Sequence, residues 1–381
     1  SPGCGAFKDV VQKEKYMPDQ SNDSLALHLQ EKGLDLAHEV DEQLQRVAPD
    51  SPNRALYREM LLTVLRMAHD DLDRWNAKIT LQAIRELEKT FRTLEQFKGR
   101  RKVTVFGSAR TPVEHPLYAL AREMGSVLAK SDMMVITGGG AGIMAAAHEG
   151  AGLAHSLGFN ITLPFEQRAN PTINGTPNVL AFHFFFTRKL FFTKEADALV
   201  MCPGGFGTLD EVLEVVTLMQ TGKTPLVPVV LLDVPGGKFW QGALDFIHNQ
   251  LEANQYILPN DLKLMRLVHS AEEALAEINQ FYSNFHSSRW LNKTFVIRMK
   301  RPVSVQALKE IQQAFADICL SDGFHQEQYC HFEHDDPKFN HLTCLGFAFS
   351  GRNQGRLREL VDFINLPQNW AATDNAPTAQ M

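Results

Sequence analysis

The stretch MCPGGFGTLDEVLEVV, Met201–Val216, sets Pro203, Gly204, Gly205 and Gly207 directly after an apolar run and just before a helical pattern. Asp210 and Glu211 follow three and four residues past the last glycine. Glycine lets the main chain come close to a ligand, and the start of a helix offers unpaired N–H groups and a positive dipole end. That combination makes an anion site, most naturally one for a phosphate. Two further runs have the same form. KVTVFGSAR ends a β-rich stretch on Gly107 and Ser108, with Arg110 just beyond. MMVITGGGAGIM carries Gly138, Gly139, Gly140 and Gly142 into a helix that contains Met144.

Spacing excludes the commonest nucleotide motifs. A dinucleotide fingerprint needs G-x-G-x-x-G, but Gly138 and Gly140 are followed by Ile143, and Gly205 and Gly207 by Asp210. TGKT at 221–224 has Thr217 where a P-loop needs its first glycine. Glu211 admits two readings. It is the last residue of T-L-D-E, a capping box in which Thr208 caps the helix and the glutamate bonds back. The other reading is a carboxylate delivered to a phosphate site, where it stabilises positive charge or moves a proton. Asp210 reads as a charge favouring the helix N-terminus. Glu214, one turn on, reaches the same side of the helix.

The elements that must position these residues follow from periodicity. Residues 1–23 are polar and read as a tail, and 24–99 carry amphipathic helical patterns. From 100 to 290, near-continuous apolar strands alternate with helices, the mark of a parallel sheet covered on both faces. The expected fold class is therefore α/β, with a Rossmann-like doubly wound parallel sheet as its core. Ligands in such sheets bind beyond the carboxyl ends of the strands, where all three glycine runs fall. Residues 291–366 read as a small α+β module of order β-α-β-β-α, and 367–381 as a second polar tail.

Whole-chain properties narrow the function. The chain has 381 residues and a net charge of -6, so it lacks the basic excess expected of a nucleic-acid polymer binder. No apolar run is long enough for a membrane span. Five scattered cysteines without CxxC spacing read as reduced thiols in a cytoplasmic protein. Cys330, His331, His334 and His341 invite a metal reading, but alternation along a strand splits Cys330 from His331, and no convergent ligand pair is evident.

Taken together, GGGAGIM and PGGFGTLDE resemble the LOG ("lonely guy") family of nucleoside 5'-monophosphate phosphoribohydrolases, often mislabelled lysine decarboxylases. Pro203, Gly204, Gly205, Gly207, Thr208 and Glu211 match every fixed position of that family's PGGxGTxxE signature, and Arg188-Lys189 matches its arginine–lysine pair. The resemblance spans about 100–290. It implies hydrolysis of the N-glycosidic bond of a nucleoside monophosphate to free base and ribose 5-phosphate, with Arg188 and Glu211 as the catalytic pair. It also implies phosphate and substrate contacts from Gly107, Ser108, Gly138, Gly139, Gly140, Gly142, Met144, Lys189, Gly204, Gly205, Gly207, Thr208 and Glu214. No metal or cofactor is required, and a homodimer or higher homo-oligomer is expected. AMP-like purine or cytokinin nucleotides are the expected substrates. HFFFTRKLFF is more apolar than in minimal members, which bears on the base; there Phe185 and Phe186 read as packing residues or as stacking platforms. The alternative from another class is a non-catalytic nucleotide or cofactor carrier with a LOG-like fold.

Overall fold

The structure, a computed structural model, describes residues 36–163, 168–321, 323–327, 339 and 341–372. These divide into two compact units, one within 14–88 and one from 89 onward.

The smaller unit is helical. Helices α1 (Leu36–Val47) and α2 (Arg54–His69) pack Val40 and Leu44 against Leu62 and Leu65, so each amphipathic helix buries one stripe. Helix α3 (Arg74–Glu95) follows. On α2 a second apolar stripe, Leu56, Tyr57, Met60, Leu61 and Val64, is exposed.

The larger unit is built on a seven-stranded parallel sheet in the order β4-β3-β2-β1-β5-β6-β7. The strands are β1 (Lys102–Phe106), β2 (Met134–Thr137), β3 (Ser156–Ile161), β4 (Val179–Phe182), β5 (Ala198–Met201), β6 (Val229–Leu232) and β7 (Met265–Val268). The crossover helices are α4 (Pro116–Lys130), α5 (Ile143–Ala151), α6 (Phe185–Glu195), α7 (Phe206–Gln220) and α8 (Phe239–Phe246), and α9 (Ala271–Phe281) follows β7. This is the Rossmann-like α/β sheet expected above. Central strands β1, β2, β3, β5 and β6 are buried at every position, because helices cover both faces. Strands β1 to β4 build outward in one direction and β5 to β7 in the other, so the chain reverses between β1 and β5. A doubly wound sheet opens its crevice at that switch point.

Beyond α9 the chain forms a four-stranded antiparallel sheet, β10-β11-β9-β8. It comprises β8 (Phe285–Leu291), β9 (Thr294–Met299), α10 (Val305–Ala314), β10 (His325–Glu327), β11 (Thr343–Phe347) and α11 (Gln354–Ile364). The order is thus β-β-α-β-β-α. The extra strand, FHSSRWL, pairs with β9 through Ser288↔Ile297 and Trp290↔Phe295. The region holding Cys330, His331 and His334 lies outside the described residues.

Candidate active site

The carboxyl ends of β1 and β5 are laced together through Ser108. Its N–H donates to Pro203 O (3.1 Å), and its carbonyl accepts from Ile143 N (3.0 Å), the first residue of α5. The three glycine runs therefore meet at one place. Gly142, at φ +63, is the N-cap of α5, and a Cβ there would lie 2.3 Å from Ser108 O. A Cβ on Gly204 would lie 2.2 Å from Thr208 Oγ1 and 3.0 Å from Ser108 N. Only glycine permits these loops to close on each other.

Helix α7 begins at Phe206, with Gly205 as its N-cap and no side-chain cap. The N–H groups of Thr208 and Leu209 both donate to Gly205 O (3.0 and 3.1 Å). Thr208 is thus the third residue of the helix, not its cap, and the capping-box reading of Glu211 falls. The Pro203-Gly204-Gly205 turn lets the helix start earlier than the threonine signal implied. The amides of Phe206 and Gly207 head the helix and, by its geometry, lack intrahelical acceptors.

Above this junction lies a cleft of about 660 Å³. Its walls include Gly107, Ser108, Arg110 and Met144, then Phe185 and Arg188 from α6, then Gly205, Phe206, Gly207, Thr208, Asp210 and Glu211 from the start of α7. Arg188 and Glu211 share this one cleft. Arg188 Nε donates to Phe159 O on β3 (2.7 Å), and its guanidinium carbon sits 5.0 Å from the Phe192 ring centroid. Burial lowers its pKa to about 10 against the opposing pull of Glu211, so it is cationic at neutral pH.

Glu211 is 8% exposed, and that burial raises its pKa to about 7. Lys189 and Arg188 pull it down, while Glu214 and Asp210 push it up. A carboxyl group balanced near neutrality is equipped to exchange protons. Lys189 stands behind it. The Lys189 ammonium bonds Asp210 Oδ2 (2.7 Å) and Glu214, and lies 3.7 Å from Glu211 Oε1. Burial opposes its charge, but the hydrogen bonds to Asp210 and Glu214 and the nearby Glu211 carboxylate outweigh that, and its pKa is raised.

Of the residues singled out in the sequence, Gly107, Ser108, Met144, Arg188, Gly205, Gly207, Thr208 and Glu211 line the cleft. Gly138, Gly139, Gly140, Gly142, Lys189, Gly204 and Glu214 lie outside its lining. Lys189 is paired with both Glu214 and Asp210. Sequence reading missed Phe206, which fills the variable position of PGGxGT and is 93% exposed at the cleft. It also missed Asn170 and His148, which hold the Gly138–Gly140 loop and carry no motif. Among the described residues, no group of three or more His, Cys, Asp or Glu is placed to hold a metal ion.

A family model described as "possible lysine decarboxylase" matches residues 140–278. The chain is similar to a probable cytokinin riboside 5'-monophosphate phosphoribohydrolase of Arabidopsis thaliana, 32% identical over 167 residues, covering 42% of this chain and 77% of that one. The chain belongs to the LOG family. A second LOG relative from Arabidopsis thaliana, a cytokinin riboside 5'-monophosphate phosphoribohydrolase, is 29% identical over 199 residues, covering 50% of this chain and 88% of the relative. A probable enzyme of the same name from Oryza sativa subsp. japonica is 28% identical over 200 residues, covering 51% and 78%. Among solved structures, the molybdenum cofactor binding protein of Rippkaea orientalis aligns at a TM-score of 0.35 and 20% identity, covering 48% of this chain and 97% of that one. The Moco carrier protein of Chlamydomonas reinhardtii aligns at 0.33 and 22%, covering 48% and 96%. Among the described residues of this LOG-family chain, no helix is long and apolar enough to cross a membrane.

Proposed function

We propose that this LOG-family chain is a nucleoside 5'-monophosphate nucleosidase. Water adds to C1' of the ribose, the N-glycosidic bond breaks with its electron pair leaving on the base, and the base picks up a proton. Free base and ribose 5-phosphate result. The observation that carries this reading is the convergence of Arg188 and buried Glu211 on one cleft at the switch point of the sheet.

The roles follow from the chemistry of the groups. Glycoside cleavage passes through an oxocarbenium-like state, so a carboxylate beside C1' lowers its energy. Glu211, with a pKa of about 7, serves as that carboxylate and accepts the proton of the attacking water. Arg188 holds its positive charge and engages the phosphate or the ribose hydroxyls. The head of α7, with Gly205, Gly207 and Thr208, receives the 5'-phosphate beside Gly107 and Ser108. Fixing a remote phosphate aligns C1' against the carboxylate. Purine monophosphates of AMP type, cytokinin nucleotides included, are the proposed substrates. Phe185 and Phe206 at the cleft offer aromatic faces to such a base. The working form is proposed to be a homo-oligomer.

The test incubates the purified chain with AMP, GMP, CMP, UMP and isopentenyl-AMP and quantifies base and ribose 5-phosphate. The reading expects base release from at least one, abolished by Glu211→Ala. Nucleotide binding without release would replace it with a carrier role.

A further inference from the structure

We infer that Asn170, held by His148, is a positioning residue for Arg188 that acts through the Gly138–Gly140 loop. The inference rests on the reading of the cleft as a nucleotide site. Asn170 comes between β3 and β4 and is 5% exposed. Its backbone N–H donates to Gly139 O (2.8 Å). Its side-chain Nδ2 lies 3.2 Å from Gly139 O and 3.2 Å from Gly140 O. The same nitrogen lies 3.0 Å from Nδ1 of His148, which is wholly buried on α5. The other ring nitrogen, Nε2, faces Leu157 O at 3.2 Å.

These contacts fix the proton positions. Leu157 O only accepts, so Nε2 carries the hydrogen and Nδ1 is left as an acceptor for Asn170. Burial keeps the ring neutral by lowering its pKa to about 4. With the amide turned the other way, Asn170 Oδ1 would face two carbonyl oxygens and the ring acceptor. The amide therefore has one workable orientation, and it clasps the loop.

The clasp matters because of what the loop touches. A Cβ on Gly138 would lie 2.4 Å from Arg188 Nη2 and 2.8 Å from Met144 Sδ, so the loop backbone runs directly against the guanidinium. Arg188 Nε is tied on its other side to Phe159 O. The guanidinium thus sits between a strand carbonyl and a loop whose path is held at Gly139 and Gly140. Gly139 N adds a bond to Thr137 Oγ1 (2.9 Å), but that bond leaves both loop carbonyls to Asn170. Releasing them lets the loop shift toward or away from Nη2, and the cation moves with it.

A double-mutant cycle with Arg188 distinguishes positioning from general stability, because a residue acting through Arg188 has nothing to act on once that side chain is gone. AMP affinity is measured by calorimetry, and kcat/KM for adenine release in parallel. Asn170→Ala is expected to lower both by about tenfold in the parent, and by less than about twofold in an Arg188→Ala background. His148→Gln, which keeps one acceptor and one donor, stays near the parent, whereas His148→Leu follows Asn170→Ala. If Asn170→Ala does not fold, Asn170→Ser, which keeps the backbone bond and loses the amide, is put through the same cycle. An undiminished loss in the Arg188→Ala background, or no loss in the parent, overturns the inference. Coupling seen in AMP affinity without adenine release would sink the nucleosidase reading and leave this one standing. Should AMP not bind, the ligand-free NMR resonance of Arg188 Nε–H decides. It is expected to move in Asn170→Ala and hold in His148→Gln, and an unmoved signal in both overturns the proposal.

Discussion

Glu211 is where residue type, burial and charge act together. An ordinary glutamate ionises near 4.5, and burial on α7 moves this one to about 7. Its folded pKa is raised, so the native state holds this proton more tightly than the unfolded chain does. Its stabilising contribution is therefore complete below about 4.5 and is lost as pH rises through about 7. The loss reaches on the order of 3 kcal/mol at full ionisation, from 1.36 kcal/mol per pKa unit. Glu211→Gln removes the slope. The difference in melting temperature between mutant and parent is expected to widen from pH 4.5 to 7 and then level off, with the mutant the more stable at pH 7.5. Lys189→Met takes away the first of the charges that pull the Glu211 pKa down, so the levelling point, and the acid limb of kcat/KM, are expected to move above pH 7. A Lys189→Met variant with an unmoved profile would show that Lys189 serves only Asp210 and Glu214.

At the scale of elements, the glycines of the switch point separate into two kinds. Gly142 and Gly204 stand where an added Cβ has no room: on the first it meets Ser108 O at 2.3 Å, and on the second Thr208 Oγ1 at 2.2 Å and Ser108 N at 3.0 Å. Gly205 and Gly207 have nothing within 4 Å of an added Cβ and border the cleft. Gly142→Ala and Gly204→Ala are therefore expected to cost on the order of 2 kcal/mol or more, read as a drop in melting temperature. Gly207→Ala is expected to keep the parent's melting temperature while weakening AMP binding, because its methyl enters the cleft. Motif spacing revealed where these loops lie but could not sort them, since the sorting depends on what lies across from each glycine. The same limit explains Thr208. T-L-D-E matches a capping box, yet Gly205 already supplies the acceptor that starts α7, so the local signal lost to the turn before it. Strand β7 was illegible for another reason. MRLV is four residues long and carries Arg266 on an edge, so neither length nor apolar continuity marks it. Asn170 and His148 were silent because a clasp formed across 22 residues has no periodicity to read.

At the scale of the molecule, the two sheets after residue 89 belong to one compact unit, and a pair of buried asparagines shows how. Asn365, at the end of α11, accepts from Asn284 N (3.0 Å) and Phe285 N (2.7 Å) through Oδ1 and donates to Phe281 O (2.6 Å) through Nδ2. Asn284 answers by donating to Ile364 O (3.1 Å) and Arg301 O (3.1 Å) and accepting from Arg301 N (2.8 Å). Both side chains are wholly buried, and the bonds of Asn365 and the one from Asn284 to Ile364 O are made away from water. These contacts join the end of α9, the start of β8 and the end of α11 at the point where the parallel sheet gives way to the antiparallel one. Tyr282 extends the joint into the parallel sheet by donating to Asp197 O (2.6 Å). The cleft and the C-terminal module should therefore unfold together, although composition alone marks a boundary between them near residue 290. Asn365→Ala strips three partners from buried backbone groups at about 1 kcal/mol or more each. Calorimetry of the full chain is expected to show the transition that removes near-UV signal from Trp290 and Trp370 coinciding with the one that opens the cleft. In Asn365→Ala both should shift downward together by roughly 5–10 °C. If the tryptophan signals of the module melted first while AMP still protected the cleft, the asparagine joint would be a local latch, and the two sheets would be separate cooperative units.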